Sequence, residues 1–377
     1  MPLTAYTFDP ALAQRFADFC FTLYRNDSNW IPPLRRRLLA QFRPDFTFHQ
    51  APGNAHQNFL ATANGRAVGH ITAMVNRRLC DNDGVAVGTV GFFECIDEPA
   101  VATDLLAAAT DWLRAHQGLR RVWGPMQFDV WHGYRLMTRG FDTPIFFGEP
   151  YNRRYYPTQF AQNGFTVRKR WHSVELGGTV AIRQRTDRWE EDYTRALHDG
   201  YRFAPIDVRD LAHVRALHTA VEDSYRAFLG LTRLDFDEFR AIFAAYAEAL
   251  DPRFAIGAWD SRGTLGGFAI SYPDYGQALR AMRGRDSLLA KLRFYLRART
   301  ARRAVFFMLG ITAAESARRR GLGRALFYAG LRALLAAGFE SIVVALLAED
   351  SPAWPFLSDY QTQTRKEYAL YEANFDA

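Results

Sequence analysis

Two glycines within a run of arginines near the C-terminal end of the chain form its clearest chemical signal. The residues read Arg318-Arg319-Arg320-Gly321-Leu322-Gly323-Arg324. Glycine lets a backbone approach a phosphate without a Cβ in the way, and a helix that begins there offers unpaired N–H groups. Arginine adds charge and forked hydrogen-bond donors. The sequence therefore predicts a pyrophosphate-binding loop or, alternatively, a glycine turn with solvated arginines.

Three ionisable side chains in the first half of the chain are candidate proton acceptors. Glu94 lies in the apolar stretch 85–96, where burial would raise the pKa of its carboxyl group towards neutrality. His132 follows Asp129 closely in a loop that also carries tryptophan and tyrosine. The alternatives are a paired structural carboxylate for Glu94 and a surface histidine for His132.

Apolar patterns on both sides of the arginine-glycine loop define the elements that must position it. Residues 304–311 and 341–347 are short runs rich in strand-forming side chains. Residues 325–338 carry leucines at helical spacing up to a glycine. The unit reads strand, loop, helix, strand. It lacks the Gly-Lys-Ser/Thr of a Walker loop and the Gly-x-Gly-x-x-Gly of a dinucleotide site.

The sequence predicts the same order of helices and strands twice along the chain. The first pass predicts a helix at 10–24, a short helix from Arg35, strands at 59–64, 67–75 and 85–96, a helix at 100–116 and a strand at 122–126. The second predicts a strand at 201–206, helices at 208–225 and 236–250, strands at 254–259 and 266–272, then the loop unit and a last strand at 367–372. We therefore expect a mixed α/β protein with domains at 1–176 and 200–377, joined by a linker at 177–199.

This element order and the Arg318-x-x-Gly321-x-Gly323 loop resemble the GNAT (GCN5-related) N-acyltransferases. The resemblance implies two tandem GNAT domains, each a mixed, mostly antiparallel sheet flanked by helices, with acyl-CoA as co-substrate and no metal. In the first half, Glu94-Cys95-Ile96-Asp97-Glu98-Pro99 stands where the glycine loop would be. Acidic residues disfavour a pyrophosphate there, so we expect acyl-CoA to bind only in the second half.

Five segments resemble landmarks of a bacterial tandem-GNAT family over nearly the whole chain. They are Trp30-Ile31-Pro32-Pro33-Leu34, Gly91-Phe92-Phe93-Glu94-Cys95, Gly124-Pro125-Met126-Gln127-Phe128, Gly140-Phe141-Asp142-Thr143-Pro144 and Pro150-Tyr151-Asn152-x-x-Tyr155-Tyr156. The ceramide synthase type, which acylates a sphingoid base, is the most similar. After Phe128 the family usually has a Ser/Thr-Asn-Glu-Glu-like run, whereas this chain has Asp129-Val130-Trp131-His132-Gly133-Tyr134. We expect a different acceptor if that loop contacts it.

The GNAT resemblance also implies roles for residues around the loop. The backbone of Leu309, Gly310 and Ile311 would hold the pantetheine and polarise the thioester carbonyl. Asp350 and Ser351 follow the strand after the helix, where such enzymes commonly place a polar side chain near the thioester. Tyr360 lies roughly where many of them carry a tyrosine that protonates the leaving thiolate, although its spacing from Ser351 is longer than usual.

Residues 280–303 form a basic segment with only one acid, Asp286. The basic residues are Arg280, Arg283, Arg285, Lys291, Arg293, Arg297, Arg299, Arg302 and Arg303. Leu288, Leu289, Leu292, Tyr295 and Leu296 recur among them at helical spacing. This pattern predicts either a membrane-surface helix or a helix packed on its own domain with a solvated basic face. No nucleic-acid reader motif occurs, so we expect no nucleic-acid partner.

Composition limits the class of protein. The chain has 377 residues, 49% hydrophobic and 23% charged, with 47 basic and 40 acidic residues for a net charge of +7. That balance is typical of globular domains. Cys20, Cys80 and Cys95 lack metal-site spacing, and no basic-then-apolar leader or membrane-length apolar run occurs. We expect a cytoplasmic protein. A peripheral position on the inner face of the membrane is the alternative location.

Together these patterns predict transfer of an acyl group from acyl-CoA to a primary amine. The most specific expectation is a long-chain acyl group and a sphingoid base, with an acyl-chain wall formed by Phe92, Phe93, Phe146, Phe147, Phe306 and Phe307. A small-amine acetyltransferase and a non-catalytic GNAT-fold binding module are the alternatives. An aminoacyl transferase of the Fem type would need no CoA loop, so the intact loop argues against it.

Overall fold

The fold is described from a computed structural model, which places residues 2–116, 119–247, 250–318, 320–357, 360 and 362–374, without the side chains of 245–247 and 362–364. Arg319 and the end of the helix predicted at 236–250 lie outside the described residues. No helix in the described part of the chain is long and apolar enough to cross a membrane.

The first half alternates helices with an antiparallel meander. Its elements are β1 Leu3–Tyr6, α1 Pro10–Leu23, α2 Arg35–Ala40, α3 Thr47–Gln50, β2 Ala55–Ala63, β3 Arg66–Cys80, β4 Ala86–Cys95, α4 Pro99–Arg114, β5 Arg121–Gly124, β6 Met126–Gln127, β7 Gly133–Tyr134, β8 Leu136–Arg139, α5 Tyr156–Gln162 and β9 Thr166–Gly177. The start of α1 shows why the sequence sets these bounds. The Asp9 carboxylate accepts the N–H groups of Ala11 and Leu12, and Pro10 occupies the first turn, where no N–H is needed.

The second half repeats this order after two connecting helices. Its elements are α6 Thr179–Asp187, α7 Glu190–His198, β10 Arg202–Pro205, α8 Leu211–Ser224, α9 Phe236–Ala247, β11 Ala255–Trp259, β12 Leu265–Pro273, α10 Gly276–Met282, α11 Leu288–Ala298, β13 Arg303–Ile311, α12 Ala313–Arg318, α13 Leu322–Ala336, β14 Ser341–Ala348, α14 Trp354–Leu357 and β15 Thr362–Asn374. The predicted linker, 177–199, contains α6 and α7, whose Ile182 and Ala196 are buried against α13 in the second core.

One continuous sheet joins the two halves. Its strand order is β1-β2-β3-β4-β5-β15-β9-β14-β13-β12-β11-β10, with β8 also paired to β15 and β6–β7 forming a separate hairpin. The halves exchange their last strands. Strand β9 from the first half pairs with β14 of the second, and β15 from the second pairs with β5 of the first. Strand pairing therefore crosses the predicted boundary between the two domains twice. The division into domains at 1–176 and 200–377 remains a prediction.

Separate apolar cores lie on the two faces of this sheet. In the second half, α13 covers one face with Leu326, Leu331 and Leu334, while α8 covers the other with Leu217 and Val221. The predicted phenylalanine wall is wrong as a single surface. Phe92, Phe93, Phe146 and Phe306 are buried in four different cores. Neighbouring residues of a strand point to opposite faces, so adjacent phenylalanines cannot line one wall.

Candidate active site

Strands β13 and β14 run in parallel and then separate. Their pairing extends from Arg303 opposite Ser341 to Phe306 opposite Val344, although β13 continues to Ile311 and β14 to Ala348. Unpaired ends of parallel strands leave backbone groups available to a ligand. The predicted pantetheine-binding residues, Leu309–Ile311, lie on β13 at this opening.

The opening is bordered by the end of helix α8. The Tyr225 hydroxyl donates a hydrogen bond to the carbonyl oxygen of Leu309 across 2.9 Å. The neighbouring Ser224 hydroxyl is buried and has no partner within the described residues, and it lies 3.1 Å from where a Cβ of Gly310 would be. Because Gly310 has no Cβ, this edge of β13 leaves room for the Ser224 hydroxyl. Sequence reasoning missed Ser224 and Tyr225, because their position at the end of a helix gave no signal.

The predicted loop begins with the short helix α12 and turns at Gly321. This glycine has a φ of 78° and precedes the first turn of α13, where no side chain caps the helix. A Cβ at Gly321 would lie 2.5 Å from Asp192, and one at Gly323 would lie 2.7 Å from Ile311 Cδ1. Position 321 thus requires glycine for its backbone conformation, whereas a Cβ at position 323 would displace only the end of the Ile311 side chain. The buried Leu322 anchors the turn in the core.

The arginines of the loop are more strongly paired than the sequence indicated. Because α7 packs beside α13, its Asp192 accepts hydrogen bonds from Arg324 Nε at 2.7 Å and Nη2 at 2.9 Å. The pairs are Arg318 with Glu315, Arg320 with Asp199, and Arg324 with Asp192. These three arginines are ion-paired but remain 39–56% exposed, so both the pyrophosphate loop and the glycine turn with solvated arginines stay open. An anion at this turn would meet mainly the backbone N–H groups at the start of α13.

The equivalent opening in the first half is occupied by the chain itself. Strands β4 and β5 pair in parallel only from Val87 to Thr89, after which β4 continues to Cys95. A Cβ at Gly91 would collide with the backbone carbonyl of Met126. The chain after β5 therefore lies against β4 at the place that stays open in the second half.

Glu94 lies on β4 in a partly buried polar cluster. Tyr156 and Tyr24 both donate hydrogen bonds to its Oε2, at 2.7 and 2.9 Å. Loss of solvation raises the pKa of the Glu94 carboxyl group to about 7, and the two tyrosine hydrogen bonds oppose that rise. Among the described residues no hydrogen bond connects this cluster with β13 or β14. Glu94 and the arginine-glycine loop thus belong to different halves.

His132 and Asp129 are brought together by the turn between β6 and β7. The imidazole Nδ1 lies 2.8 Å from Oδ1 of Asp129, which is buried. Trp131, between them, donates from its Nε1 to the carbonyl of Thr232 across 3.0 Å, so this turn is fixed to the second half. A carboxylate that orients an imidazole leaves its Nε2 available for proton transfer.

The three remaining candidates are not gathered at one point. Asp350 pairs with Lys169 at 3.0 Å and is mostly exposed. The Ser351 hydroxyl accepts the N–H of Ala353, so it helps to shape the turn before α14. Tyr360 is buried, and its hydroxyl lies 3.1 Å from the hydroxyl of Thr186 on α6.

His172 is a histidine near the opening that the sequence did not indicate. It lies on β9 opposite Leu347 of β14, and its ring packs against Trp354 with a centroid distance of 5.4 Å. Burial, followed by the charge of Arg365, lowers the pKa of its imidazole and so favours the neutral form. Only the exchange of β9 into the second half brings this residue to the opening.

Comparison with known proteins agrees with this geometry. The acetyltransferase (GNAT) family model matches residues 215–359, which include α12, α13 and both strands of the opening. "Protein YghO" of Escherichia coli (strain K12) is 32% identical over 153 residues, 40% of this chain and 38% of that protein, so the chain spans about two fifths of that relative. Bacterial ceramide synthase of Caulobacter vibrioides is 26% identical over 381 residues, covering 96% of this chain and 95% of that one.

A solved structure extends the comparison over both halves. The tandem GNAT protein from the clavulanic acid biosynthesis pathway superposes with a TM-score of 0.56 at 14% identity, covering 99% of this chain and 98% of that one. This similarity confirms the predicted fold class of two GNAT units in tandem. Residues 215–359 thus match the acetyltransferase (GNAT) family model, and the chain as a whole has the fold of a tandem GNAT protein.

Proposed function

We propose that this protein transfers an acyl group from acyl-CoA to a primary amine and binds acyl-CoA only in its second half. The observation that carries the proposal is the opening between β13 and β14, which leads directly into the glycine turn at the start of α13. The corresponding opening of the first half is filled by the backbone at Met126, and no glycine loop follows β4.

The residues around the opening suit a thioester donor. The pyrophosphate would lie on the backbone of Gly321–Gly323 with Arg318 and Arg320 nearby, and the pantetheine would lie along Leu309–Ile311. In the reaction, the neutral amine attacks the thioester carbonyl, a C–N bond forms and the C–S bond breaks. One proton leaves the amine and one reaches the thiolate.

His132, oriented by Asp129, is the base that the geometry favours. Its turn is tied to the second half through Trp131, whose ring also packs on Phe239 of α9 at 6.1 Å. Glu94 is the alternative base, because its pKa near 7 suits proton transfer. Tyr360 and Asp350 remain candidates for protonating the thiolate.

Phe307, backed by two aromatic side chains, is an exposed apolar group near the opening that suits a long acyl chain. Phe307 is 38% exposed and packs against Tyr272 at 5.6 Å, and Tyr272 packs against Phe147 at 5.9 Å. Each buried methylene contributes about 0.8 kcal/mol, so a fatty acyl chain gains on the order of 10 kcal/mol before ordering costs. With the near-full-length similarity to a bacterial ceramide synthase, this favours a long-chain acyl group and a sphingoid base.

Helix α11 presents an apolar surface that the other described residues leave exposed. Leu288, Leu292 and Tyr295 are 87%, 54% and 65% exposed, and Leu289 and Leu296 are also exposed. In the described part of the chain, Lys291, Arg293, Arg297 and Arg299 on and just after this helix form no ion pair. An exposed apolar face bordered by unpaired cations suits an anionic bilayer surface. We propose that α11 docks the protein there, beside a lipid substrate.

Thiol release from acyl-CoA tests this function directly. Palmitoyl-CoA and acetyl-CoA are compared as donors, with sphinganine and small primary amines as acceptors. We expect a higher kcat/KM with palmitoyl-CoA and sphinganine. Faster turnover of acetyl-CoA would replace the lipid assignment with a small-amine acetyltransferase. No thiol release with any pair would support a non-catalytic binding module.

A further inference from the structure

Arg135 is a buried arginine that has no acidic partner within the described residues. It follows β7, is 7% exposed and adopts a φ of 83°, a left-handed conformation that non-glycine residues rarely take. Its guanidinium carbon lies 3.8 Å from the ring centroid of Tyr134 and 4.2 Å from that of Trp171. The two aromatic rings therefore hold the cation at a fixed place.

The hydrogen-bonding capacity of this cation is largely unused. Its Nη2 donates to the Tyr134 hydroxyl, but its buried Nε finds no acceptor among the described residues. The described carboxylates all lie beyond ion-pair distance of it. Burial lowers the pKa of the Arg135 guanidinium group well below its usual value. A buried charge without a partner is strongly destabilising, so its presence calls for a ligand.

A second unsatisfied donor lies beside the first. The Trp171 side chain is fully buried, and its indole Nε1 has no partner within the described residues. Each buried donor that lacks an acceptor costs about 1–3 kcal/mol. Arginine and indole N–H groups only donate, so a ligand that satisfies both must offer acceptor oxygens.

The two donors lie on the side of the opening that faces away from α13. Trp171 pairs with Ala348 of β14, beyond the point where β14 leaves β13. Leu346, Ala348 and Phe228, which follows α8, pack on the same buried cluster. A group held there would be near the thioester but separate from the glycine turn at α13.

We propose that Arg135 and Trp171 form a subsite for an anionic oxygen group, a carboxylate or a phosphate, carried by the acceptor amine. This inference rests on the N-acyltransferase function proposed above and narrows its acceptor. A free sphingoid base offers only neutral oxygens, whereas an acidic long-chain base or an amino acid offers the charge that Arg135 lacks. The subsite makes and breaks no bond itself, so it acts by selecting and orienting the acceptor.

Matched acceptors that differ in one acidic group test the subsite. With palmitoyl-CoA as donor, sphinganine 1-phosphate is compared with sphinganine, and serine with serinol. We expect the acidic member of at least one pair to be preferred by 10-fold or more in kcat/KM, and the reactive pair identifies the source of the anion. Equal use of both members in each pair would overturn the proposal.

Substitutions separate binding from folding. Arg135→Met keeps the volume and removes the charge, so we expect the preference to vanish while the Tm stays equal or rises. Trp171→Phe removes the indole N–H and should weaken the preference partially. Arg139→Met, at an exposed arginine of β8, is the control and should leave the preference intact. A preference that survives in Arg135→Met refutes the subsite.

A binding measurement covers the case in which no acyl transfer is detected. Sphinganine 1-phosphate and phosphoserine are titrated in a thermal-shift assay without donor. A rise in Tm for the wild type that is lost in Arg135→Met supports the subsite even if the proposed function fails. Absence of a shift with both ligands, together with absence of an acidic preference, counts against it.

Discussion

Tyr371 of the last strand pairs with Gly124 of the first half, although 246 residues separate them in the chain. Next to this pair, the Trp123 indole donates to the Glu372 carboxylate across 2.8 Å. In exchange, β9 from the first half pairs with β14. Each half is therefore completed by a strand from the other, which ties their stabilities together.

We predict that the two halves do not fold independently. Residues 1–176 expressed alone lack β15, so β5 keeps β4 as a neighbour but loses β15 on its other edge, and the core residues Ala369 and Tyr371 are missing. Circular dichroism of this fragment should show no cooperative thermal transition, whereas the full chain should show one. Two separate transitions in the full chain, one matching the fragment, would contradict this coupling.

The glycine turn should control donor binding without controlling the fold. Gly321→Ala strains a residue with a φ of 78° and brings a Cβ onto Asp192. Gly338→Ala, at the other end of α13, strains a residue with a φ of 86° where nothing lies within 4 Å. Both should lose about 1–2 kcal/mol of stability. Calorimetry with CoA should show at least 10-fold weaker binding only for Gly321→Ala, and one site per wild-type chain.

Glu94 should make stability depend on pH between about 4.5 and 7. Its folded pKa is about 7, above the ordinary 4.5, so the folded protein holds the proton over this range while the unfolded chain releases it. Stability contributed by this group is therefore lost as pH rises, by at most about 3 kcal/mol. Urea titrations at pH 5 and pH 8 measure the unfolding free energy at each pH. In Glu94→Gln the loss of unfolding free energy between pH 5 and pH 8 that Glu94 causes should be absent. Glu98→Gln, at an exposed carboxylate, should retain it.

His132 should matter for turnover more than for binding of acyl-CoA. Replacing His132 by Asn removes the proton acceptor, and we expect kcat to fall roughly 10²–10⁴-fold with little change in CoA affinity. Asp129→Asn should cause a smaller loss, because the imidazole remains but loses its orienting carboxylate. If His132→Asn keeps full activity while Glu94→Gln loses it, the base is Glu94.

Helix α11 should bind anionic membranes through side chains that contribute little to folding. Replacing Leu288, Leu292, Tyr295 and Leu296 by Ser removes exposed apolar groups, so each change should alter the unfolding free energy by less than about 0.5 kcal/mol. Co-sedimentation with phosphatidylglycerol-containing vesicles should fall at least 10-fold. Val180→Ser, 71% exposed on α6, is the control. Unchanged sedimentation of the fourfold variant would refute membrane docking.

Local patterns in the sequence were sufficient for most elements. Helices α1, α4, α8 and α13 and the strands of both meanders lie within a few residues of their predicted bounds, because apolar periodicity and caps act over short distances. The glycine turn before α13 was predicted for the same reason, since its backbone requirement is local. Strand β1, without a strong pattern, strand β9, and helices α6 and α7, within a charged stretch, were missed.

Tertiary structure decided what meets at the opening. The exchange of β9 and β15 depends on strands far apart in the chain, and it brings His172 and Trp171 beside β14. The pairing of Arg324 with Asp192 depends on α7 packing beside α13, which no local spacing specifies. The sequence by itself determined the tandem GNAT order and the glycine turn, because both follow from neighbouring residues. Only long-range packing decided which side chains surround the turn, since those contacts join segments that the chain keeps apart.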